Sequence, residues 1–200
     1  VIRTSAKPIL FVEGPSDVSI LNTACEKLFP DEEIPFLIQD AFDRGFIKTL
    51  LSRADIFKNY PNKHFFALFD FDDAYEDWRV MEGKTVEHNI NKGLCKRLDG
   101  KNAHIFLLPI PENQLKNQVW DENNPLEKIK LKPHFCIEHI FWEQPQLASY
   151  YKTNEVNGCE RIEFKKNKCK VKFAAEAVPK LDVACFEVFR PMFDRIKLHC

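Results

Sequence analysis

The chain has 200 residues, 44% of them hydrophobic and 30% charged, with a formal net charge of -1. That length supports one domain with a real core, or one domain plus a small appendage, and the composition excludes an intrinsically disordered chain. No apolar run approaches the ~20 residues needed to cross a bilayer, and no secretory signal pattern precedes the first apolar run, so a cytoplasmic protein without a membrane partner is expected.

The neutral average conceals an uneven distribution. Acids crowd the first 80 residues, whereas Lys128 to Lys132 (KIKLK) and Arg161 to Lys172 (RIEFKKNKCKVK) are basic. Acids facing basic strips suit a metal-dependent phosphodiester site, and solvated surface lysines are the plain alternative. The seven cysteines are odd in number and form no C-x-x-C pair, which points to reduced thiols. Cys136 with His134 or His139 matches no usual zinc spacing. Val1 in place of Met leaves room for a longer polypeptide with further domains.

In chain order, ILFVE (Ile9 to Glu13) reads as a short buried strand. The helix after it places Val18, Leu21, Cys25 and Leu28 on one face, with Pro15 suited to its first turn. IPFLIQ is a second strand, and RGFIKTLLSRADIFKNY a helix with Phe46, Leu50, Ala54 and Phe57 on one face. KHFFALFDFDD is a third strand ending in acids. A polar helix is predicted through AYEDWRVMEGKTVEHNINKGLCKRL, then a fourth strand in AHIFLLPIP. Apolar strands alternating with helices predict an α/β fold with a central parallel four-stranded sheet. This core is expected over residues 8–111, and a C-terminal extension, a loop and then mainly helices, over 112–200. Within the extension, the loop spans Pro111 to Pro133 and HFCIEHIFW is a short buried helix.

Ligands bind beyond the carboxyl ends of parallel strands. Glu13 ends the first strand, Asp70 with Asp72 and Asp73 ends the third, and Asp17 lies one turn into the first helix. Two like charges at ~4 Å repel by on the order of 4 kcal/mol at an effective dielectric of 20, and a divalent cation relieves this. Hard carboxylate oxygens suit Mg²⁺ or Mn²⁺. Helix capping accounts for one acid per helix start, which covers Asp17 and either Asp72 or Asp73. It does not account for Glu13 on an apolar strand, or for Asp70 and Asp72 together.

FVEGPSDVSIL followed by FALFDFDDA resembles the Toprim domain of topoisomerases, DnaG-type primases, ribosomal-RNA maturases and OLD-family nucleases. Glu13, Gly14 and Asp17 match its E-G-x-x-D turn, and Asp70 and Asp72 its D-x-D. The resemblance covers about residues 8–111 and is nearest to the OLD-type branch of defence nucleases. For that branch, HFCIEHIFW implies Glu138 as a further metal-side acid, and KCKVKFAAEAV implies Lys172, with Lys170 second, as the lysine that stabilises charge on the phosphate.

The resemblance implies a Mg²⁺- or Mn²⁺-dependent endonuclease. Its metal ligands would be Glu13, Asp17, Asp70, Asp72 and Glu138, its catalytic residues Glu13, Asp70 and Lys172, and its substrate nucleic acid, DNA before RNA. Glu13, at an apolar strand tip, would have a raised pKa and transfer protons, and Gly14 would permit a sharp backbone turn where a side chain would obstruct the ions or the phosphate. OLD-type chains also carry an ATPase. No G-x-x-x-x-G-K-[ST] loop occurs here, so an ATPase is implied only as a domain or subunit outside this sequence. RNA processing, or a catalytically silent module that binds nucleic acid or a partner, are the alternatives. A phosphotransfer receiver domain fits the D-x-D poorly. Tyr75 near the acids reads as a packing or rim residue.

Overall fold

The computed structural model of the protein describes residues 5–111, 118–119, 133–156 and 159–200. The basic strip Lys128 to Lys132 and nearly all of the expected loop lie outside these. Among the described residues no helix is long and apolar enough to cross a membrane.

The fold is α/β. In chain order it contains β1 (Ile9–Val12), α1 (Pro15–Leu28), β2 (Leu37–Asp40), α2 (Arg44–Ser52), α3 (Ala54–Asn59), β3 (Phe65–Phe69), α4 (Ala74–Val80), β4 (Gly83–Glu87), β5 (Cys95–Leu98) and β6 (Ala103–Leu107). These strands form one six-stranded sheet in the order β2-β1-β3-β6-β5-β4. The pairings β1–β2, β1–β3 and β3–β6 are parallel, as continuous apolar strands covered on both faces require. Every residue of β1, β3 and β6 is buried. Phenylalanines supply much of this core, with Phe11, Phe65, Phe66 and Phe106 fully buried, each contributing roughly 1.5–3 kcal/mol of transfer free energy.

Two expectations are corrected. The polar helix stops at Val80, and the rest of its stretch folds into β4 and β5, antiparallel strands that widen the parallel four to six. Glycine decides this locally. A Cβ on Gly83 would stand 2.4 Å from the Arg97 carbonyl oxygen, so only glycine permits that strand approach. Gly93, at φ +81°, supplies the turn into β5. The helix expected from Arg44 to Tyr60 breaks at Arg53, whose extended backbone separates α2 from α3.

The C-terminal extension is less helical than expected. It contains the antiparallel hairpin β7 (Tyr151–Val156) and β8 (Cys159–Phe164). The short buried helix takes the 3-10 form over Ile137–Phe141. After β8, α5 (Lys170–Lys172) opens a helical run that widens to π geometry over Phe173–Ala177, and α6 (Arg190–Lys197) ends the chain. Phe193 of α6 lies 6.2 Å from Phe29 and 5.9 Å from Phe36 between ring centroids, so the extension shares the core of the sheet domain.

Candidate functional site

The chain leaves β1 for β2 on one side and returns to β3 on the other, so β1 and β3 flank the topological switch point. A crevice opens there beyond the carboxyl ends. Glu13 follows the last residue of β1 and Asp70 the last of β3. They meet directly, since the Asp70 N–H donates to Glu13 Oε1 at 3.2 Å.

Asp17 enters from the first turn of α1. Its Oδ2 accepts the Gly14 N–H at 3.0 Å, and its Oδ1 accepts the Ser16 hydroxyl at 3.2 Å. Asp72 accepts the Ala74 N–H at 2.8 Å and lies 3.9 Å from the Arg44 guanidinium. Capping thus engages Asp17 and Asp72, whereas Glu13 and Asp70 accept main-chain N–H groups from other elements.

A segment distant in sequence closes the crevice. Phe135 pairs antiparallel with Phe71, the Phe135 N–H donating to the Phe71 carbonyl at 3.0 Å. This docking brings the Ile137 N–H to Asp70 Oδ1 at 3.2 Å and carries Glu138 inward. Glu138 is fully buried. Its Oε2 accepts Lys170 Nζ at 2.9 Å, and its Oε1 has no hydrogen-bond partner among the described residues. The Tyr151 hydroxyl donates to the Glu138 carbonyl at 2.6 Å, so the hairpin steadies the same segment.

Lys170 is therefore the lysine of the site. Lys172 projects elsewhere, its side chain 67% exposed and 3.8 Å from Glu176. The two are two positions apart on a helix, about 200° around the axis, so only one can face the acids. The resemblance to the OLD-type basic motif ranked Lys172 first, and the start of the helix after Cys169 reverses that order.

These residues line a cleft of about 420 Å³, with Glu13, Asp17, Asp70, Asp72 and Lys170 on its walls beside His134, Cys136 and His139. Burial foremost, then the charge of Asp72, lifts the Glu13 carboxyl to about 7. Burial and then Glu138 push Asp17 up to about 6. Burial, followed by Asp17 and Glu13, holds Asp70 well above the usual carboxylate range. Burial by itself would lower the Lys170 ammonium, but Cys136, Glu138 and Asp70 outweigh it and the net shift is upward. Lys170 is a fixed cation at any working pH.

The remaining polar groups divide by role. His139 Nδ1 accepts the Cys136 N–H at 2.9 Å, and burial, His134 and Lys170 lower its pKa to about 3, which keeps the ring neutral. Burial, then Glu138 and Asp70, raises the Cys136 thiol well above its ordinary range, so it is no thiolate nucleophile. Tyr75 stacks on Phe71 with centroids 5.4 Å apart and on Trp78 at 6.2 Å, a packing role. Ser16 and Arg44 escaped the sequence reading, which weighed His134 and His139 only as zinc ligands with Cys136. Ser16 adjoins Asp17 and was findable, whereas Arg44 reaches Asp72 only through the fold.

Among the described residues, no three His, Cys, Asp or Glu side chains already stand as a metal-binding group. The donor set nonetheless fits a hard divalent cation. It offers carboxylate oxygens, with Glu13, Asp17 and Asp70 held at raised pKa by burial and then by mutual repulsion, and one buried carboxylate oxygen, Glu138 Oε1, without a partner among the described residues. Gly14 adds space. Its backbone is extended (φ -150°), and a Cβ there would meet nothing within 4 Å. The expected steric turn is thus not why glycine stands there. Gly14→Ala should change the melting temperature of the metal-free protein by no more than the few degrees that ~1 kcal/mol represents, and a larger drop in thermal denaturation would restore the turn explanation.

Comparison of the chain with protein-family models, with curated proteins and with solved structures finds no match. What defines the protein is therefore its architecture. It is an α/β domain that gathers acids from two parallel strand ends and a docked segment around one lysine.

Proposed function

We propose that the chain is a divalent-metal-dependent nuclease of the Toprim type, nearest to the OLD branch, that hydrolyses phosphodiester bonds of nucleic acid, DNA before RNA. The observation that carries this reading is the convergence of Glu13, Asp17 and Asp70 on the cleft at the β1/β3 switch point, with Lys170 on the same wall and paired to the buried Glu138. A cluster of acids with raised pKa serves no evident structural purpose and is costly to keep. The free thiols among the described residues favour a reducing compartment such as the cytoplasm, and action in anti-phage defence with a separate ATPase belongs to the same reading.

Mg²⁺ or Mn²⁺ held by Glu13, Asp17, Asp70, Asp72 and Glu138 would supply an activated water and neutralise phosphoryl charge. The residues themselves do the rest. Glu13, with a pKa of about 7, can exchange a proton at its carboxylate near neutral pH. Asp70 is fixed by the Ile137 N–H, and its own N–H orients Glu13. Lys170 carries the positive charge that a phosphorane-like transition state needs, and Glu138 holds that ammonium in place. Gly14 leaves room for a phosphate beside the acids.

Incubation with supercoiled plasmid in Mg²⁺ or Mn²⁺ is the test. Nicking that chelation stops and Glu13→Ala lowers by roughly 10²–10⁴-fold is expected. Failure of the wild-type protein to cut plasmid or structured RNA with either metal would transfer the proposal to a silent binding module.

A further inference from the structure

Phe42 stands on the rim of the acidic cleft in a left-handed backbone conformation that suits glycine better than phenylalanine. Its φ is +69°, and no other non-glycine residue among those described has a positive φ. For an L-residue that region costs roughly 1–2 kcal/mol, which glycine would avoid. The ring is 84% exposed, so the chain forgoes its burial as well. A single exposed Phe needs no explanation, but one with a strained backbone on the wall of a cleft does.

Both neighbours are anchored. Ala41 is buried and donates its N–H to the Val12 carbonyl at 2.9 Å, which ties it to the sheet. Asp43 caps α2, its Oδ1 accepting the Phe46 N–H at 2.7 Å. Phe46, itself 48% exposed, meets the Phe42 ring edge-on at 6.5 Å and 87°. Phe42 lines the same cleft as Glu13, Asp70 and Asp72.

We infer that Phe42 is a stacking platform for an unpaired nucleobase, so that the cleft takes single-stranded, frayed or extruded nucleotides in preference to intact duplex. This rests on the nuclease reading above and narrows its substrate. An exposed aromatic ring on the wall of the proposed phosphodiester site offers a flat face, and the complementary flat face in nucleic acid is a base. In a duplex both faces of an internal base are covered by its neighbours, so only an unpaired or flipped base can use the platform.

The test is fluorescence anisotropy with Ca²⁺ in place of Mg²⁺, on a labelled DNA strand of about 12 nucleotides, its blunt duplex and an abasic strand of equal length. Phe42→Gly suits the backbone and should melt no lower than wild type. It should lose roughly 5–150-fold in single-strand affinity, the equivalent of 1–3 kcal/mol. Phe42→Trp should restore that affinity, and duplex and abasic-strand affinities should change less than twofold.

Equal losses on all three ligands, or none on the single strand, would overturn the stacking platform while leaving the nuclease reading intact. So would a dimeric wild type that Phe42→Gly renders monomeric, which would make the ring a protein interface. A wild type that binds no nucleic acid and cuts none would overturn both.

Discussion

Exchanging Asp70 for asparagine, or Glu13 for glutamine, is expected to abolish metal-dependent cleavage while stabilising the metal-free protein at neutral pH. Either amide oxygen can keep the existing hydrogen bond, from the Ile137 N–H to residue 70 and from the Asp70 N–H to residue 13. What each exchange removes is charge in a crowded, buried cluster. The cost to activity is several kcal/mol of transition-state stabilisation, about 10³-fold or more in rate.

The pH dependence fixes the sign of the stability change. Glu13 titrates near 4.5 when unfolded and about 7 when folded. Below pH 4.5 it is protonated in both states, and glutamine gains nothing. As pH rises from 4.5 to 7 the unfolded chain ionises first, and the wild type loses stability that the variant keeps. The advantage of Glu13→Gln should therefore be near zero at pH 4 and level off above pH 7, with a ceiling of about 3 kcal/mol, less where coupled neighbours share the relief. The difference between the two proteins isolates this effect from the buried histidines, whose lowered pKa values act in the opposite direction. Saturating Mg²⁺ or Mn²⁺ should raise the wild-type melting temperature by roughly 5–10 °C at 100 times its Kd, and raise that of Asp70→Asn far less. Thermal unfolding with and without chelator measures both. A variant less stable than wild type at pH 8 without metal would remove the claim that these acids repel.

The second large effect separates two lysines. Lys170→Met should destabilise the protein by about 2–4 kcal/mol, because Glu138 is fully buried and its Oε2 accepts the Lys170 ammonium. That is below the 3–5 kcal/mol of fully buried pairs, since the Lys170 side chain stays 48% exposed. Adding Glu138→Gln should recover most of the loss by removing the stranded charge. Lys172→Met should stay within about 0.5 kcal/mol, since its ion pair with Glu176 lies in solvent. Cleavage should fall by two orders of magnitude or more in Lys170→Met and remain near wild type in Lys172→Met. Urea denaturation and the plasmid assay read the two properties, and an active Lys170→Met protein would remove this lysine from the mechanism.

Local order in the chain was enough to write down the parallel half of the sheet. Short, almost entirely apolar runs ending in acid or proline have few other ways to fold, and Ile9–Val12, Phe65–Phe69 and Ala103–Leu107 became its buried strands. Glu13 and Asp70 were legible for the same reason, since a charged residue ending such a run must emerge at the carboxyl edge. The antiparallel strands β4 and β5 were not legible. Their residues are half-polar, and the choice of strand over helix rests on the Gly83 approach to Arg97, a contact across the sheet.

Contacts between distant segments decided the rest. Glu138 reaches Asp70 because Phe135 pairs with Phe71 across 64 positions of chain, and no periodicity within either segment encodes that pairing. The choice of Lys170 over Lys172 follows from the helix phase after the hairpin. Phe42 looks ordinary in the string AFDRGF, and its left-handed backbone emerges only when the sheet holds Ala41 and α2 holds Asp43. Residue type and spacing encode hydrophobic period and the ends of strands, because those depend on near neighbours. Which charges share a cleft depends on how elements dock, and that is a property of the whole packed chain.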